Sequence, residues 1–265
     1  MLKRTTRIAA SLYLVLIFAV VSLFTIIFYR NDRQRMERIS RNTAMFSPVL
    51  LWIMGLKYRV VEHGTKLASQ DRPLIVANHV SYLDVFILAA LRPTLFISSV
   101  ELSRTPFLGS MSRLGGTVFV ERRKNTGLRT EIQKVASILD DGFAVALFPE
   151  ARTSDGSAML PFKGALFEAA VKAKARVIPV CIRYESLDGK PLTAENRDRI
   201  VYYGGVRFFP HILRLFRHHE IQARVDVFES LGGDKSRKDL ARESYGIINK
   251  CFTGQMEECR AGARR

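Results

Sequence analysis

The most distinctive pattern of the chain is an uncharged, mostly apolar run over residues 8–28. As a helix, this run would rise about 31 Å, close to the thickness of the hydrocarbon core of a bilayer. A secretory signal peptide has a shorter apolar region that ends in small residues, whereas this run ends at Phe28, Tyr29 and Arg30. We therefore interpret it as an uncleaved membrane helix, which either spans the bilayer or stays in one leaflet.

A second uncharged stretch covers residues 42–56. Ser47 and Pro48 have the pattern of an N-cap followed by proline in the first helical turn. The stretch is too short for a second span, so it predicts an interfacial or buried helix, with Trp52 at the headgroup boundary. Residues 1–57 are thus predicted to form a membrane anchor and an interfacial helix.

From residue 58 onward, short apolar runs alternate with amphipathic stretches. This alternation predicts an α/β domain over residues 58–259, with a central, largely parallel sheet flanked by helices. The basic tail at 260–265 is predicted to be frayed. The predicted strands are 59–63, 73–77, 94–100, 116–120, 143–148, 176–184 and 221–228, and the predicted helices are 82–91, 105–114, 127–140, 163–174, 211–219 and 236–251.

The charge balance narrows the set of partners. The chain has 41 Lys and Arg against 25 Asp and Glu, a net charge of +16, which attracts anions. Basic residues flank the apolar helix, with Lys3, Arg4 and Arg7 before it and a longer basic stretch after it, so an anionic membrane surface is the simplest partner. No sequence signature of a nucleic-acid-binding module is present, and no nucleic acid partner is expected. The longer basic flank after the helix favours the cytoplasmic face of a bacterial-type inner membrane.

The three cysteines, Cys181, Cys251 and Cys259, are too few and too scattered for a disulfide framework or a closed zinc site. His79, Asp84 and the cysteines do not have the spacing of metal ligands, so no metal is predicted.

Candidate chemistry follows the predicted strands, because open α/β sheets bind ligands beyond the carboxyl ends of their strands. His79 and Asp84 follow the strand at 73–77. With His79 in the turn and Asp84 in the first turns of the next helix, the carboxylate can accept the Nδ1 proton and leave Nε2 free as a base. Ser81 fits an N-cap, and no G-x-S-x-G nucleophile elbow exists. This pattern indicates a base acting on a substrate hydroxyl without a covalent enzyme intermediate; a purely structural turn is the alternative.

Two other strand ends carry charged groups. Arg122, Arg123 and Lys124 follow the strand at 116–120 and could form an anion site or a solvated charge run. Glu150 follows Phe148 and Pro149. It could be a simple turn carboxylate, accept a hydrogen bond from a substrate hydroxyl, or fix Arg122.

These residues lie in blocks that resemble, in order, the motifs of the glycerolipid acyltransferases. The resemblance extends from about residue 58 to residue 184. The first block, Asn78-His79-x-Ser81-x-x-Asp84, matches N-H-x-x-x-x-D, and the stretch from Gly116 through Phe119 to Arg122 matches the second motif. Phe148-Pro149-Glu150 matches the start of the third motif, F-P-E-G-T-R-S, and Pro161-Phe162-Lys163-Gly164 matches the P-F-K-x-G segment. Val177-Ile178-Pro179-Val180 matches the fourth motif.

The resemblance implies that His79 is the general base that deprotonates an acceptor hydroxyl and that Asp84 orients it. It also implies that backbone N–H groups near the His79 turn stabilise the oxyanion. The acyl donor would be a co-substrate thioester on coenzyme A or acyl carrier protein, with no further cofactor. The residues expected to bind substrate are Asn78, Ser81, Gly116, Phe119, Arg122, Phe148, Pro149, Glu150, Arg152 and Lys163.

The third motif departs from the family pattern. Ala151, Arg152 and Thr153 stand where glycine, threonine and arginine are usual, and the following Ser154-Asp155-Gly156 resembles a branch that includes lyso-ornithine-lipid acyltransferases. The first expectation for the acceptor is 1-acylglycerol-3-phosphate, giving phosphatidic acid, with Arg152 in place of the missing arginine. The alternative acceptor is a phosphate-free lysolipid such as lyso-ornithine lipid. A non-catalytic membrane-anchored binding protein is the alternative from another class.

Overall fold

The computed structural model describes residues 3–69, 72–121, 127–232 and 234–254. The chain begins with an antiparallel helical hairpin made of α1 (Arg4–Phe28) and α2 (Asp32–Ile53). The Asn42 amide donates to the Thr25 hydroxyl over 3.1 Å, and the rings of Phe18 and Phe46 meet edge to face at 5.5 Å. These contacts join the two helices along their length.

The prediction that a helix begins at Ser47 and Pro48 was wrong. The N-cap of α2 is Asn31, whose side chain accepts from the Gln34 N–H over 3.1 Å, and Pro48 lies inside the helix. The Ser47 hydroxyl donates back to the Thr43 carbonyl over 2.7 Å and does not cap a helix start. The helix continues through the Ser-Pro signal because one face of it, including Ile39 and Leu51, is buried against the domain.

The domain is built on one eight-stranded sheet with the order β1-β8-β6-β2-β5-β3-β4, and β7 pairs with β6. The run from β6 to β4 is parallel, while β8 is antiparallel to β6 and parallel to β1. This confirms the predicted, largely parallel sheet. The strands are β1 (Leu56–Glu62), β2 (Leu74–Ala77), β3 (Leu95–Ser99), β4 (Val118–Val120), β5 (Val145–Leu147), β6 (Val177–Leu187), β7 (Lys190–Pro191) and β8 (Ile221–Val227).

Helices cover both faces of this sheet. Side chains alternate across β2, so Ile75 joins one apolar cluster with residues of α2 and α3, while Leu74 joins another with residues of α6 and α9. The remaining helices are α3 (Leu83–Leu91), α4 (Val100–Ser103), α5 (Leu108–Leu114), α6 (Leu128–Asp140), α7 (Phe167–Lys172), α8 (Phe208–Leu215) and α9 (Arg237–Phe252), with 3₁₀ turns at Leu67–Ser69, Gly164–Leu166 and Arg197–Arg199.

Within the described residues, α1 is the one helix long and apolar enough to cross a membrane, as judged by length and composition alone. Large apolar side chains on it are exposed, among them Leu12, Leu16 and Phe24. The basic residues at its start do not behave as a free flank facing lipid. Arg7 is buried and donates to the carbonyls of Ile53 (2.7 Å), His218 (2.6 Å) and Met54, and Arg4 donates to the Leu213 carbonyl. The first turn of α1 is therefore tied to the α/β domain.

Gly116 lies where α2 of the hairpin packs closely against the domain. Its φ is +79°, and a Cβ there would lie 2.9 Å from Ile39 Cγ2 and 3.0 Å from Leu95 Cδ2. The sequence analysis expected this glycine to bind substrate. The structure shows a packing role for Gly116, since the absence of a Cβ leaves room for Ile39 of α2 and Leu95 of β3. Substrate binding by Gly116 stays a prediction.

We expect Gly116→Ala to lower the free energy of unfolding by about 2 kcal/mol or more, because it adds both a positive-φ penalty and an overpacked methyl group. Denaturant unfolding in detergent measures this change. Gly127→Ala is the matched control, since Gly127 has a negative φ and no atom of the described residues lies within 4 Å of its would-be Cβ. Equal effects of the two substitutions would contradict the packing role.

Candidate active site

The turn that follows β2 is held in place by two buried polar side chains. The Asn78 amide donates to the Ile182 carbonyl (2.9 Å) and accepts from the Ile182 N–H (2.8 Å), which continues the pairing of β2 with β6. The Ser81 hydroxyl donates to the Ile200 carbonyl over 2.9 Å. Both side chains are fully buried. These contacts show that the two side chains position the turn that carries His79, and the expectation that they also bind substrate stays a prediction.

His79 and Asp84 meet as predicted from their spacing. The His79 Nδ1 lies 2.9 Å from Asp84 Oδ2, and the same oxygen accepts from the N–H groups of Val80 and Ser81 over 2.8 and 2.9 Å. Because this oxygen accepts from two backbone N–H groups, it also acts as the acceptor for Nδ1–H of His79. In the neutral ring the lone pair of Nε2 is then free. The Asp84 side chain is fully buried, while 18% of the His79 side chain is exposed. A substrate can therefore reach the imidazole but not the carboxylate.

Tyr184 is a member of this site that the sequence analysis did not identify. Its hydroxyl donates to Asp84 Oδ1 over 2.7 Å from within β6. Burial, and next the nearby Asp84 carboxylate, raise the pKa of Tyr184 well above its ordinary value, so the hydroxyl keeps its proton and remains a donor. No local signal could have found it, because it lies 100 residues from Asp84.

Glu150 fixes the other side of the turn. One oxygen accepts from the His79 N–H over 2.8 Å, and the other accepts from the Leu160 N–H over 2.7 Å. Burial raises the pKa of Glu150, although the two N–H donors act in the opposite direction. The carboxyl group is only 3% exposed. In this structure it joins the His79 turn to the loop after β5, and its two oxygens already have backbone donors.

The ring of Phe148 packs against the imidazole of His79. The two rings are stacked with their centroids 4.0 Å apart and an interplanar angle of 16°. Phe148 and Pro149 are both buried, and the Pro149 carbonyl accepts from the Lys163 N–H over 2.9 Å. The stacking limits ring rotation and so supports the orientation that Asp84 imposes.

The remaining predicted site residues are not part of this cluster. Phe119 is half-buried on β4, with the Arg113 guanidinium 5.6 Å from its ring centroid. Arg152 and Lys163 are exposed on the loop after β5. The predicted cationic stretch Arg122, Arg123 and Lys124 lies outside the described residues.

Ala151 stands where the family motif has glycine, and the structure shows the reason for that glycine. Its φ is +63°, in the left-handed region that favours glycine. Its N–H donates to the Phe148 carbonyl over 3.1 Å and closes a tight turn after Glu150. This chain keeps the turn with an alanine and carries the strain.

That backbone N–H groups near the His79 turn stabilise an oxyanion stays a prediction, and three of the nearby groups already have other acceptors. The N–H groups of His79, Val80 and Ser81 are engaged by the carboxylates of Glu150 and Asp84. They stabilise the turn and are not available to a developing oxyanion. Across the described parts of the chain, no group of three or more His, Cys, Asp or Glu side chains is arranged to hold a metal ion.

Comparisons with known proteins show which family the chain resembles. The family model described as Acyltransferase matches residues 59–183. A lyso-ornithine lipid O-acyltransferase of Rhizobium meliloti is 32% identical over 214 residues, which are 77% of this chain and 72% of that protein. A 1-acyl-sn-glycerol-3-phosphate acyltransferase of Neisseria gonorrhoeae is 44% identical over 117 residues, 44% of this chain and 46% of that one. The crystal structure of the LPA acyltransferase PlsC from Thermotoga maritima has a similar fold, with a TM-score of 0.59 at 20% identity, covering 94% of this chain and 98% of that one.

We expect Tyr184→Phe to lower kcat about tenfold with little change in KM, because Asp84 loses one charge-assisted hydrogen bond and orients the imidazole less well. Steady-state kinetics, with thermal unfolding as a check of the fold, measures the split between kcat and KM. Tyr58→Phe on β1 is the matched control. An unchanged kcat in a folded Tyr184→Phe protein would contradict the positioning role.

Proposed function

The chain belongs to the acyltransferase family, and we propose that it transfers a fatty acyl group from an acyl thioester to the free hydroxyl of a lysolipid, with His79 as general base. The observation that carries this proposal is the partly exposed imidazole of His79, whose orientation is held by its neighbours. Asp84 accepts a hydrogen bond from Nδ1–H over 2.9 Å, Phe148 fixes the ring plane, and the ring remains partly exposed.

In the proposed reaction, His79 Nε2 takes the proton of the acceptor hydroxyl as its oxygen attacks the thioester carbonyl. The C–O bond forms, the C–S bond then breaks, and the protonated imidazole returns the proton to the leaving thiolate. The Asp84 carboxylate stabilises the imidazolium during this exchange. A direct transfer is supported by the burial of Ser81, whose hydroxyl is bonded to the Ile200 carbonyl and cannot act as a nucleophile.

For the acceptor, a lyso-ornithine lipid has the better support. The similarity to the Rhizobium meliloti enzyme extends over 77% of this chain, whereas the similarity to the Neisseria gonorrhoeae enzyme covers 44%. The third motif also lacks its usual arginine.

The second candidate acceptor is 1-acylglycerol-3-phosphate. The higher identity of 44% over the shorter region favours it, and the exposed Arg152 is available to the phosphate. The donor is an acyl group on coenzyme A or acyl carrier protein.

We expect His79→Ala to lower acyl transfer by at least about 100-fold, because general-base catalysis contributes 10²–10⁴-fold. Reconstituted protein would be given labelled acyl-coenzyme A or acyl carrier protein with each of the two acceptors. The exposed His219 provides the matched variant His219→Ala. Substantial transfer by a folded His79→Ala protein would refute the general-base role, and no transfer by the wild type to either acceptor would refute the proposed reaction.

We also propose that the helical hairpin attaches the protein to the membrane, with the catalytic domain on the cytoplasmic face of a bacterial-type inner membrane. The exposed apolar side chains of α1 support this attachment, and so does Trp52 on α2, which is 70% exposed. The net charge of +16 suits an anionic bilayer surface.

Trp52 is the only tryptophan of the chain, so its fluorescence reports directly on the hairpin. In vesicles of anionic phospholipid we expect its emission to shift to the blue and to be quenched by brominated lipids, because the indole lies at the headgroup boundary. The control is Arg242→Trp in a Trp52→Phe background, which places the tryptophan on α9, across the sheet from α2. Quenching of Trp52 by aqueous iodide alone would contradict the attachment.

A further inference from the structure

The altered third motif leads into a pair of opposite charges that the proposed reaction does not use. Asp155 lies in the loop after β5, and Arg197 opens the 3₁₀ turn at Arg197–Arg199. Their closest charged atoms, Arg197 Nη2 and Asp155 Oδ2, are 3.6 Å apart. The side chains are 25% exposed for Arg197 and 41% exposed for Asp155, so both can be reached from solvent.

Both segments are anchored to the turn that carries His79. The N–H of Ser154, the residue before Asp155, donates to the His79 carbonyl over 2.9 Å. On the other side, the Ile200 carbonyl accepts from the Ser81 hydroxyl, and the Tyr202 N–H donates to the Val80 carbonyl. The two segments that carry the charged pair are therefore both hydrogen-bonded to the turn that carries His79.

Gly156 allows the two segments to approach. Its φ is +76°, and a Cβ there would lie 3.2 Å from Val201 Cγ2 and 3.9 Å from Arg197 Cδ. Any other residue at this position would be strained and would press against the segment that carries Arg197.

The pair is poorly matched as a structural salt bridge. The 3.6 Å separation is longer than a charge-assisted hydrogen bond. The Arg197 Nε is buried and has no hydrogen-bond partner among the residues that the structure describes.

The other member of the pair, Asp155, has hydrogen bonds of its own: Oδ1 accepts from the Ser157 hydroxyl (2.6 Å) and N–H (2.9 Å). Those hydrogen bonds lower the pKa of Asp155, so it is an anion at neutral pH. Partly exposed pairs of this kind add little stability.

The two charges suit a head group that itself carries both signs. A phosphate monoester, which is an anion, would be attracted by Arg197 but repelled by Asp155 at a similar distance. Ornithine linked through its α-amino group carries one carboxylate and one ammonium group, so each would find an opposite charge.

We infer that Asp155 and Arg197 form the head-group site for a zwitterionic amino-acid lysolipid, with Arg197 binding the carboxylate and Asp155 binding the ammonium group. This inference rests on the proposed acyl transfer and names the residues that select its acceptor.

Kinetics with two acceptors tests the selection. For Asp155→Asn and Arg197→Gln we expect kcat/KM for lyso-ornithine lipid to fall about tenfold or more, mainly through KM. For Asp155→Asn we expect transfer to 1-acylglycerol-3-phosphate to be unchanged or faster. Asp198→Asn and Arg199→Gln, exposed in the same 3₁₀ turn, are the matched controls. Three outcomes would overturn the inference while leaving acyl transfer intact. They are an equal loss with both acceptors, no loss with either acceptor, and wild-type transfer to the phosphate acceptor alone.

A binding measurement decides the inference even if no acyl transfer is found. The probes are N-lauroyl-ornithine, N-lauroyl-norvaline, which lacks the ammonium group, and N-lauroyl-putrescine, which lacks the carboxylate. We expect the wild type to bind the ornithine probe about tenfold more tightly than either of the others. Asp155→Asn should lose the preference over the norvaline probe, and Arg197→Gln the preference over the putrescine probe. Equal binding of all three probes by the wild type would overturn the inference.

Discussion

The site depends on the hydrogen bonds that converge on the buried carboxylate of Asp84. Nδ1–H of His79, two backbone N–H groups of the turn and the hydroxyl of Tyr184 all donate to it. A buried carboxylate without such donors would be costly, so the turn, α3 and β6 have to assemble together. The side chain of Asn78 reinforces this assembly, because it completes the backbone pairing with Ile182. The same interactions that make the carboxylate tolerable in the core favour the tautomer in which Nε2 of His79 is unprotonated, as the proposed base requires.

The sequence predicted the features whose causes are local. Alternating apolar runs gave the α/β sheet, and a spacing of five residues after a strand placed His79 beside Asp84. It could not predict contacts made by residues distant in the chain. Tyr184 reaches Asp84 only through the pairing of β2 with β6, and the hydroxyl of Ser81 finds Ile200 only in the folded domain. The Ser-Pro signal in α2 was misleading because packing of the helix against Gly116 outweighs a local preference.

The same limitation applies to function. From the motifs alone, Asn78, Ser81 and Gly116 could not be distinguished from residues that touch substrate, because a motif gives residue types and spacing but no contacts. The structure shows supporting contacts for these three: the buried side chains of Asn78 and Ser81 hold the turn, and Gly116 leaves room for α2. Asp155 and Arg197, in contrast, are partly exposed. Acceptor choice is thus proposed to lie in charges outside the His79–Asp84 pair, on two segments that make no contact with the Asp84 carboxylate among the hydrogen bonds described above.

The central claim is the tautomer of His79, and ¹⁵N NMR of histidine-labelled protein tests it most directly. At a pH where the imidazole is neutral, we predict a protonated Nδ1 and an unprotonated Nε2, with the signal assigned by its loss in His79→Gln. Tyr184→Phe should weaken this preference without reversing it. A protonated Nε2 in the wild type would contradict the account, because the nitrogen facing the substrate would then be a donor and could not accept the proton of the acceptor hydroxyl.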